Sequence, residues 1–305
     1  MSGPWDDAER AALVVLLRER PAKLSWPQIV AEVGERGSAR AVLADAQPPD
    51  LFGDQQRPSV QQAARDIADW QARGLGLLTF LDDDYPAQLR EIHEVPPLLF
   101  HRGRLVPRET AVSVVGSREA SPEGLDIAAS VAQWMSNERI TIVAGLAKGI
   151  DTAAHTAALE AGGRTVAIIG TGITKTYPAE NHKLQERIAT EGLLLSQFWP
   201  DAPPRRQSFP MRNAVMSGYG RATIVVEASE VSGARAQARQ AVAHGRPVIL
   251  TDRVVERTDW GRKLVGRPDV YVAESAEHVT DLVQGVISHG NAVDELLDRV
   301  LVARP

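Results

Sequence analysis

The sequence predicts an α/β protein with a Rossmann-like, mostly parallel sheet, helices on both faces, and a small helical domain in front. Three observations predict it. AVSVVGSR (111–118), ITIVAGLAKGID (140–151), TVAIIGTGI (165–173) and TIVVEAS (223–229) are β-branched apolar runs with little polar alternation, the pattern of strands buried on both faces. Each run ends in small or polar residues and is followed by an amphipathic stretch, the strand–turn–helix order of a parallel sheet. That order brings the turns to the carboxyl edge of the sheet, where ligands, often phosphate-bearing ones, are held.

The elements follow in order. AERAALVVLLRER (8–20) has apolar residues at helical spacing and stops at Pro21. LSWPQIVAEVGERG predicts a second helix, with Ser25 as its cap, Pro27 in its first turn and an end at Gly34 to Gly37. Three prolines and a glycine make 46–59 a loop, and VQQAARDIADWQAR (60–73) predicts a third helix ending at Gly74. Residues 1–75 are therefore expected to form the small helical domain. The Rossmann-like core is expected over 76–290, with 76–110 a lead-in segment of two strand-like runs around a short helix. Strands are expected at 111–116, 140–144, 165–170, 193–198, 223–228 and 247–251, with a last one at DVYVA (269–273). Helices are expected at 122–137, 149–161, near 180–190, near 211–218 and at 232–244, with a covering helix at 276–288. Residues 291–305 read as a short C-terminal tail.

Composition narrows the function classes. The 305 residues, 44% hydrophobic and 24% charged, suit a soluble globular chain of one large and one smaller domain. No apolar run approaches the ~18 residues of a membrane span, and Asp6, Asp7 and Glu9 stand where a secretory signal has basic residues, so a cytoplasmic protein without a membrane partner is expected. The absence of cysteine removes disulfides and thiolate metal sites. The net charge is −5, unevenly spread. Residues 1–100 hold 16 acidic and 10 basic residues, whereas 200–246 hold seven arginines against Asp201, Glu227 and Glu230. A local basic surface on an acidic protein is the expectation.

Four segments carry the candidate chemistry. In GSREASPEG (116–124), Gly116 allows a tight turn, Ser117 follows it, Ser121 can cap a helix starting at Pro122, and Arg118 can grip a phosphate beside free N–H groups. In AGLAKGIDTAAH (144–155), Gly145 and Gly149 let a ligand approach the backbone and Lys148 supplies a charge. Asp151 and His155 share a helix face, but no third metal ligand accompanies them, and Asp151 reads as a first-turn acid. In GTGITKTYPAENHKL (170–184), Gly170 and Gly172 look like two glycines of a dinucleotide fingerprint, without the third glycine or the ribose-binding acid. Tyr177 and Pro178 can wall a cleft there, and Asn181 can cap the next helix. PPRRQSFPMRNAVMSG (203–218) mixes Arg205, Arg206 and Arg212 with Phe209, as a groove for single-stranded nucleic acid does, although Phe209 alone suits a core position. Ser232 and Gly233 open a further helix at the end of a strand, a possible anion seat.

These motifs, GSR, GLAKGIDTAAH followed by GGRTVAIIGTGI, YPAEN, FPMRNAVMSG and VVEASEVSG, stand in the order seen in the DNA-processing protein A (DprA/Smf) family, which the chain resembles over about 80–250. FLDDDYPAQLREIHEVPPLLFHRG is similar to the family's approach to its core. The resemblance implies a non-enzymatic, cofactor-free protein that binds single-stranded DNA, protects it, and loads the RecA recombinase during natural transformation, commonly as a homodimer. Arg118 and Lys148 would line the DNA pocket, Arg212 and Asn213 would lie close by, and Lys183 follows YPAEN. With the turn residues Gly116, Ser117, Gly145, Gly149, Gly170, Gly172, Ser232 and Gly233, and with Phe209, these form the expected DNA-binding set. The chain departs from many members by carrying Ala234, Arg235, Ala236 and Gln237 where a Ser/Thr-rich helix start stands, and by leaving about twenty residues after Gly285, too few for a winged helix.

Two rival functions use the same turns. One is a nucleotide-sensing protein. The other is a nucleoside-monophosphate glycosidase of the lysine-decarboxylase-like type, whose P-G-G-x-G-T-x-x-E motif corresponds here to VSGARAQAR, with glutamine near the place of the acid that glycosidic cleavage needs.

Overall fold

The computed structural model describes residues 5–46, 58–106 and 108–302. The chain opens with α1 (Asp7–Glu19), whose first N–H groups, on Ala8 and Glu9, donate to the Asp6 carboxylate at 3.0 Å. α2 (Trp26–Arg36) starts at Ser25 in a reciprocal box with Gln28 and ends at Gly37, whose φ of 64° takes the left-handed turn. α3 (Ala39–Ala46) was not foreseen, since eight residues give little periodicity to read. α4 (Pro58–Ala72) is the helix expected at 60–73, and the loop expected at 46–59 falls almost wholly outside the described residues. Trp70 of α4 stands edge-on to Phe100 at 4.9 Å and 6.1 Å from Trp199, and one apolar cluster runs from α1 through these rings into the sheet. Trp5 donates to Thr79 at 2.7 Å and Arg10 pairs with buried Asp82. The helices are therefore docked on the sheet rather than tethered to it.

The sheet has nine strands: β1 (Gly76–Thr79), β2 (Leu98–Gly103), β3 (Ala111–Val115), β4 (Thr141–Ala144), β5 (Thr165–Ile168), β6 (Leu193–Ser196), β7 (Thr223–Val225), β8 (Val248–Thr251) and β9 (Val270–Ala273). Their order is β1-β2-β6-β5-β4-β3-β7-β8-β9. β1 and β2 pair antiparallel at one edge, and the other seven run parallel, with Val112 beside Ile142 and Val114 beside Ile224. The helices α5 (Pro122–Asn137), α6 (Ile150–Glu160), α7 (His182–Glu191), α8 (Ser208–Tyr219), α9 (Gly233–Ala243) and α12 (Ala276–Val302) cover it. One apolar cluster joins α5, α6 and α12 to the sheet and the other joins α8, α9 and the N-terminal helices to it, because alternate strand residues point to opposite faces.

The mostly parallel, helix-covered sheet agrees with the sequence expectation, with three local differences. α10 (Asp252–Arg257) and α11 (Asp259–Leu264) follow β8 where no helix was read; six residues each is under two turns, although Thr258 caps the second through Gly261 at 3.0 Å. The helix expected at 276–288 runs on to Val302. The topology places the functional surface. From β3 the chain winds through β4, β5 and β6 on one side, then returns along α8 to place β7 on the other side. The strand order reverses between β3 and β7, and a crevice opens outside their carboxyl ends.

Candidate nucleic-acid interface

The loop after β4 is held from three directions. The carboxylate of Asp151, in the first turn of α6, accepts the N–H groups of Gly145 at 2.9 Å and Ala147 at 3.2 Å. Asn181 does not cap α7; its amide donates instead to Leu146 O and Thr152 Oγ1, both at 2.9 Å. From α8, Arg212 donates to the carbonyls of Gly145 and Ile168, the latter at 2.9 Å. A side chain at 145 would collide with that guanidinium, its Cβ lying 1.9 Å from Nη1, and Gly149 combines a φ of +72° with 2.3 Å from its Cβ position to Ser117 O. Lys148 points outward from this fixed loop and meets Glu180 at 2.7 Å, both about half exposed. Such a surface pair contributes little, so the lysine can exchange Glu180 for a phosphate.

The turn after β3 is less open than its sequence suggests. Ser117 N–H donates to Glu227 O at 2.7 Å, and the start of α5 is closed: Ser121 Oγ accepts Gly124 N–H, while the Ser121 hydroxyl and N–H go to the Glu227 carboxylate. Arg118 remains exposed, its guanidinium 5.7 Å from the ring of Phe209. Phe209 is half-buried at the mouth of the crevice, not a core plug, and the exposed Tyr177 ring lies 5.6 Å from it. Arg118, Phe209 and Tyr177 thus form a continuous cation–aromatic surface.

The crevice itself has a volume of about 720 Å³. Gly116, Ser117 and Arg118 line it from β3, Phe209, Arg212 and Asn213 from α8, and Ser232 and Gly233 from the start of α9. Gly145, Gly149 and Gly170 lie just behind these; a Cβ on Gly170 would come within 2.8 Å of Phe209. Lys148 and Lys183 stand outside the crevice, Lys183 exposed on α7 and without an ion pair among the described residues. Gly172 is set apart: it packs against the carbonyls of Trp199 and Pro200 and donates to Ala202 O. Ser232 spends its hydroxyl on Ala234 N–H as the cap of α9. Arg212 and Asn213 are brought to the crevice but are buried and engaged, Arg212 Nε donating to Asn213 Oδ1 at 3.0 Å and Asn213 reaching Gly233 O at 3.4 Å. Gln237 is buried against the backbone of Asn213 and Ser217.

Burial dominates the electrostatics beneath this surface. It pushes the Arg212 guanidinium down to about 10, against the pull of Asp151, and Arg118 adds to the push; Arg212 stays charged at neutral pH. Burial likewise pushes the Asp151 carboxyl up, with Arg212 and the two loop N–H groups opposing it. His155, next along α6, is fully buried with Nδ1 2.6 Å from Thr165 Oγ1 and Nε2 without a hydrogen-bond partner among the described residues, and burial takes its pKa down to about 3. The folded-state value lies below the unfolded one, so this group's contribution is complete above pH 6.5 and is lost as pH falls toward 3. Between pH 6.5 and 4 it is expected to withdraw about 3 kcal/mol. Denaturant titrations across that range should show a shallower acid loss for His155→Gln than for the parent.

Sequence reasoning missed Glu227, Arg253 and Arg257. The available signal was an acid placed directly after a buried apolar strand, in TIVVE.

Comparison with known proteins agrees with this architecture. Residues 76–284 match the family described as DNA recombination-mediator protein A. The chain is 45% identical to DNA processing protein DprA of Streptococcus pneumoniae over 172 residues, 56% of this chain and 61% of that one. It is 34% identical to a putative DNA processing protein DprA of Mycobacterium tuberculosis over 265 residues, 79% of this chain and 67% of that one. Among these curated relatives, matches span 61%, 47% and 63% of the Streptococcus, Synechocystis and Bacillus subtilis proteins, less than two thirds of each. The X-ray structure of the S. pneumoniae protein superposes with a TM-score of 0.68 and 33% identity, covering 90% of this chain and 96% of that one. DNA processing protein A of Helicobacter pylori shares the fold, with a TM-score of 0.61 and 21% identity over 70% of this chain and 96% of that one. A strand order reversing at β3 and β7, turns converging on one crevice, and a family match from β1 into α12 lead to one conclusion: the chain belongs to the DNA recombination-mediator protein A family, whose members are named DprA or Smf.

Proposed function

We propose that this protein binds single-stranded DNA along the rim of the crevice, protects it, and hands it to the RecA recombinase during DNA processing and natural transformation. One observation carries the reading. Exposed Arg118, Lys183, Arg205 and Arg206 make no ion pair among the described residues and Lys148 is only loosely paired; Arg118 stands over the Phe209 ring, Tyr177 lies beside that ring, and Arg205 and Arg206 just precede its helix. Cations tracking a backbone beside accessible rings suit a strand whose bases are free to stack, which a duplex does not offer. The relative from H. pylori is described as having a single-stranded DNA binding mode. A binding role is favoured over glycosidase chemistry because Glu227 is committed to Ser121 and Gln237 is buried against α8. A homodimer and a cytoplasmic location belong to the same proposal; among the described residues no helix is long and apolar enough to cross a membrane.

Fluorescence anisotropy with a labelled oligo-dT, a duplex of equal length and dTMP, at two salt concentrations, tests the reading. The expected order is tight, salt-sensitive binding of the single strand, weaker duplex binding, and no saturable binding of dTMP; equal affinity for dTMP and oligo-dT overturns it. Phe209→Ala is expected to cost about 1–3 kcal/mol of affinity through lost stacking while leaving the salt slope unchanged. A changed slope at unchanged affinity would contradict the stacking role.

A further inference from the structure

The start of α5 is built like a phosphate seat and is already full. A helix start beside a glycine turn, at the point where strand order reverses, is where open α/β sheets hold phosphates. Here Glu227 reaches across from the end of β7. Its Oε1 accepts Ser121 N–H at 3.2 Å and its Oε2 accepts the Ser121 hydroxyl at 2.6 Å. Two cations of α10 face the same carboxylate, Arg253 Nε at 3.6 Å and Arg257 Nη1 at 3.7 Å, and Arg253 also donates to Ser121 Oγ at 3.0 Å. A backbone N–H, a hydroxyl and two guanidinium groups are the donor set of a phosphate site. The side chain of Glu227 is 8% exposed, so the occupant is fixed. Gly124 leaves the room for it, since a Cβ there would lie 2.6 Å from Oε2. Exposed Glu123, 3.6 Å from Arg253, adds a second negative charge at the same helix start.

We infer that Glu227 is a specificity-determining residue: an intrinsic anion that occupies the helix-start seat of the crevice and so excludes the phosphate of a free nucleotide. The inference rests on the polynucleotide reading for what is selected. A mononucleotide has one phosphate to place, and its best-built seat is closed by a carboxylate that repels it. A polynucleotide presents many phosphates and gains attachment away from that seat, at Arg118 in the crevice lining and at Lys148 and Lys183 outside it. The carboxylate therefore closes the helix-start seat and leaves the outward-facing cations to receive the backbone. A clamp tying β7 to α5 would use the same hydrogen bonds but would leave no latent anion site behind when the acid is removed.

Calorimetric titration of the parent, Glu227→Gln and Glu227→Ala with inorganic phosphate and with dTMP tests the inference. The expected order of phosphate affinity is parent, then Gln, then Ala, with Glu227→Ala binding at least about tenfold more tightly than the parent once the two arginines and the helix start are released. Phosphate should also raise the unfolding midpoint of the variants and not of the parent. Should Glu227→Ala fail to unfold cooperatively, the Gln variant against the parent decides. Equal phosphate affinity in the parent and a folded variant overturns the inference. Oligo-dT titration of the parent runs in parallel: loss of that binding removes the polynucleotide reading, while the phosphate series still judges Glu227.

Discussion

Arg212→Ala is expected to lower the unfolding free energy by about 3–5 kcal/mol, because it deletes a buried charge and strands the groups that charge satisfies. The carbonyls of Gly145 and Ile168 lose their donor, Asn213 Oδ1 loses Nε, and buried Asp151 loses the positive charge that opposes its desolvation. Thermal and denaturant unfolding measure the loss. Arg212→Lys keeps a charge but not the planar fork that reaches two carbonyls and an amide at once, so it should recover less than half of it. A loss below about 1 kcal/mol would show that the loop after β4 is not held by this residue. The same substitution should weaken single-stranded DNA binding indirectly, since Lys148 projects from that loop. The proposal of DNA contact for Arg212 is thereby refined: its guanidinium lies under the surface, shaping what the strand meets.

Arg118→Ala combined with Lys148→Ala is expected to reduce affinity for oligo-dT about a hundredfold or more, as two charge-assisted hydrogen bonds of about 1.5–3 kcal/mol each are removed. Neither side chain supports the fold. Arg118 is exposed over Phe209, and among the described residues Lys148 has only its surface pair with Glu180, so the unfolding midpoint should stay within a degree or two of the parent's. Arg65→Ala, on the exposed face of α4, is the control for loss of charge alone and should leave affinity within about twofold. Equal losses in the two variants would reduce the interface to nonspecific attraction.

What could be read from the sequence was local. Strands β3, β4, β5 and β7 announced themselves as short apolar runs because both of their faces are buried, and the starts of α2, α5 and α9 were visible in Ser25, Ser121 and Ser232. Arg118 and the glycines around the crevice were read from turns that end such strands, and Phe209 from the arginine-rich segment 203–218, where taken alone it suited a core position. The unread part depends on partners distant along the chain. Arg212 was expected in an arginine–aromatic groove beside the DNA, and only the pairing of α8 with the ends of β4 and β5 sends it to Gly145 and Ile168. Asn181 looked like a cap and instead spans to Leu146. Glu227 closes the start of α5 from across the reversal point, a contact between residues separated by more than a hundred positions. α10 and α11 were missed because six residues carry too little periodicity, and their arginines went unread with them.

The central claim, that the outward-facing cations on the rim hold the phosphates of a polynucleotide, is tested most directly by the slope of log affinity against log salt for oligo-dT. Each phosphate contact on a single strand contributes about 0.7 to that slope. The account predicts a steep slope for the parent and one shallower by about 1.4 for the Arg118→Ala, Lys148→Ala protein. Identical slopes for the two proteins would contradict it.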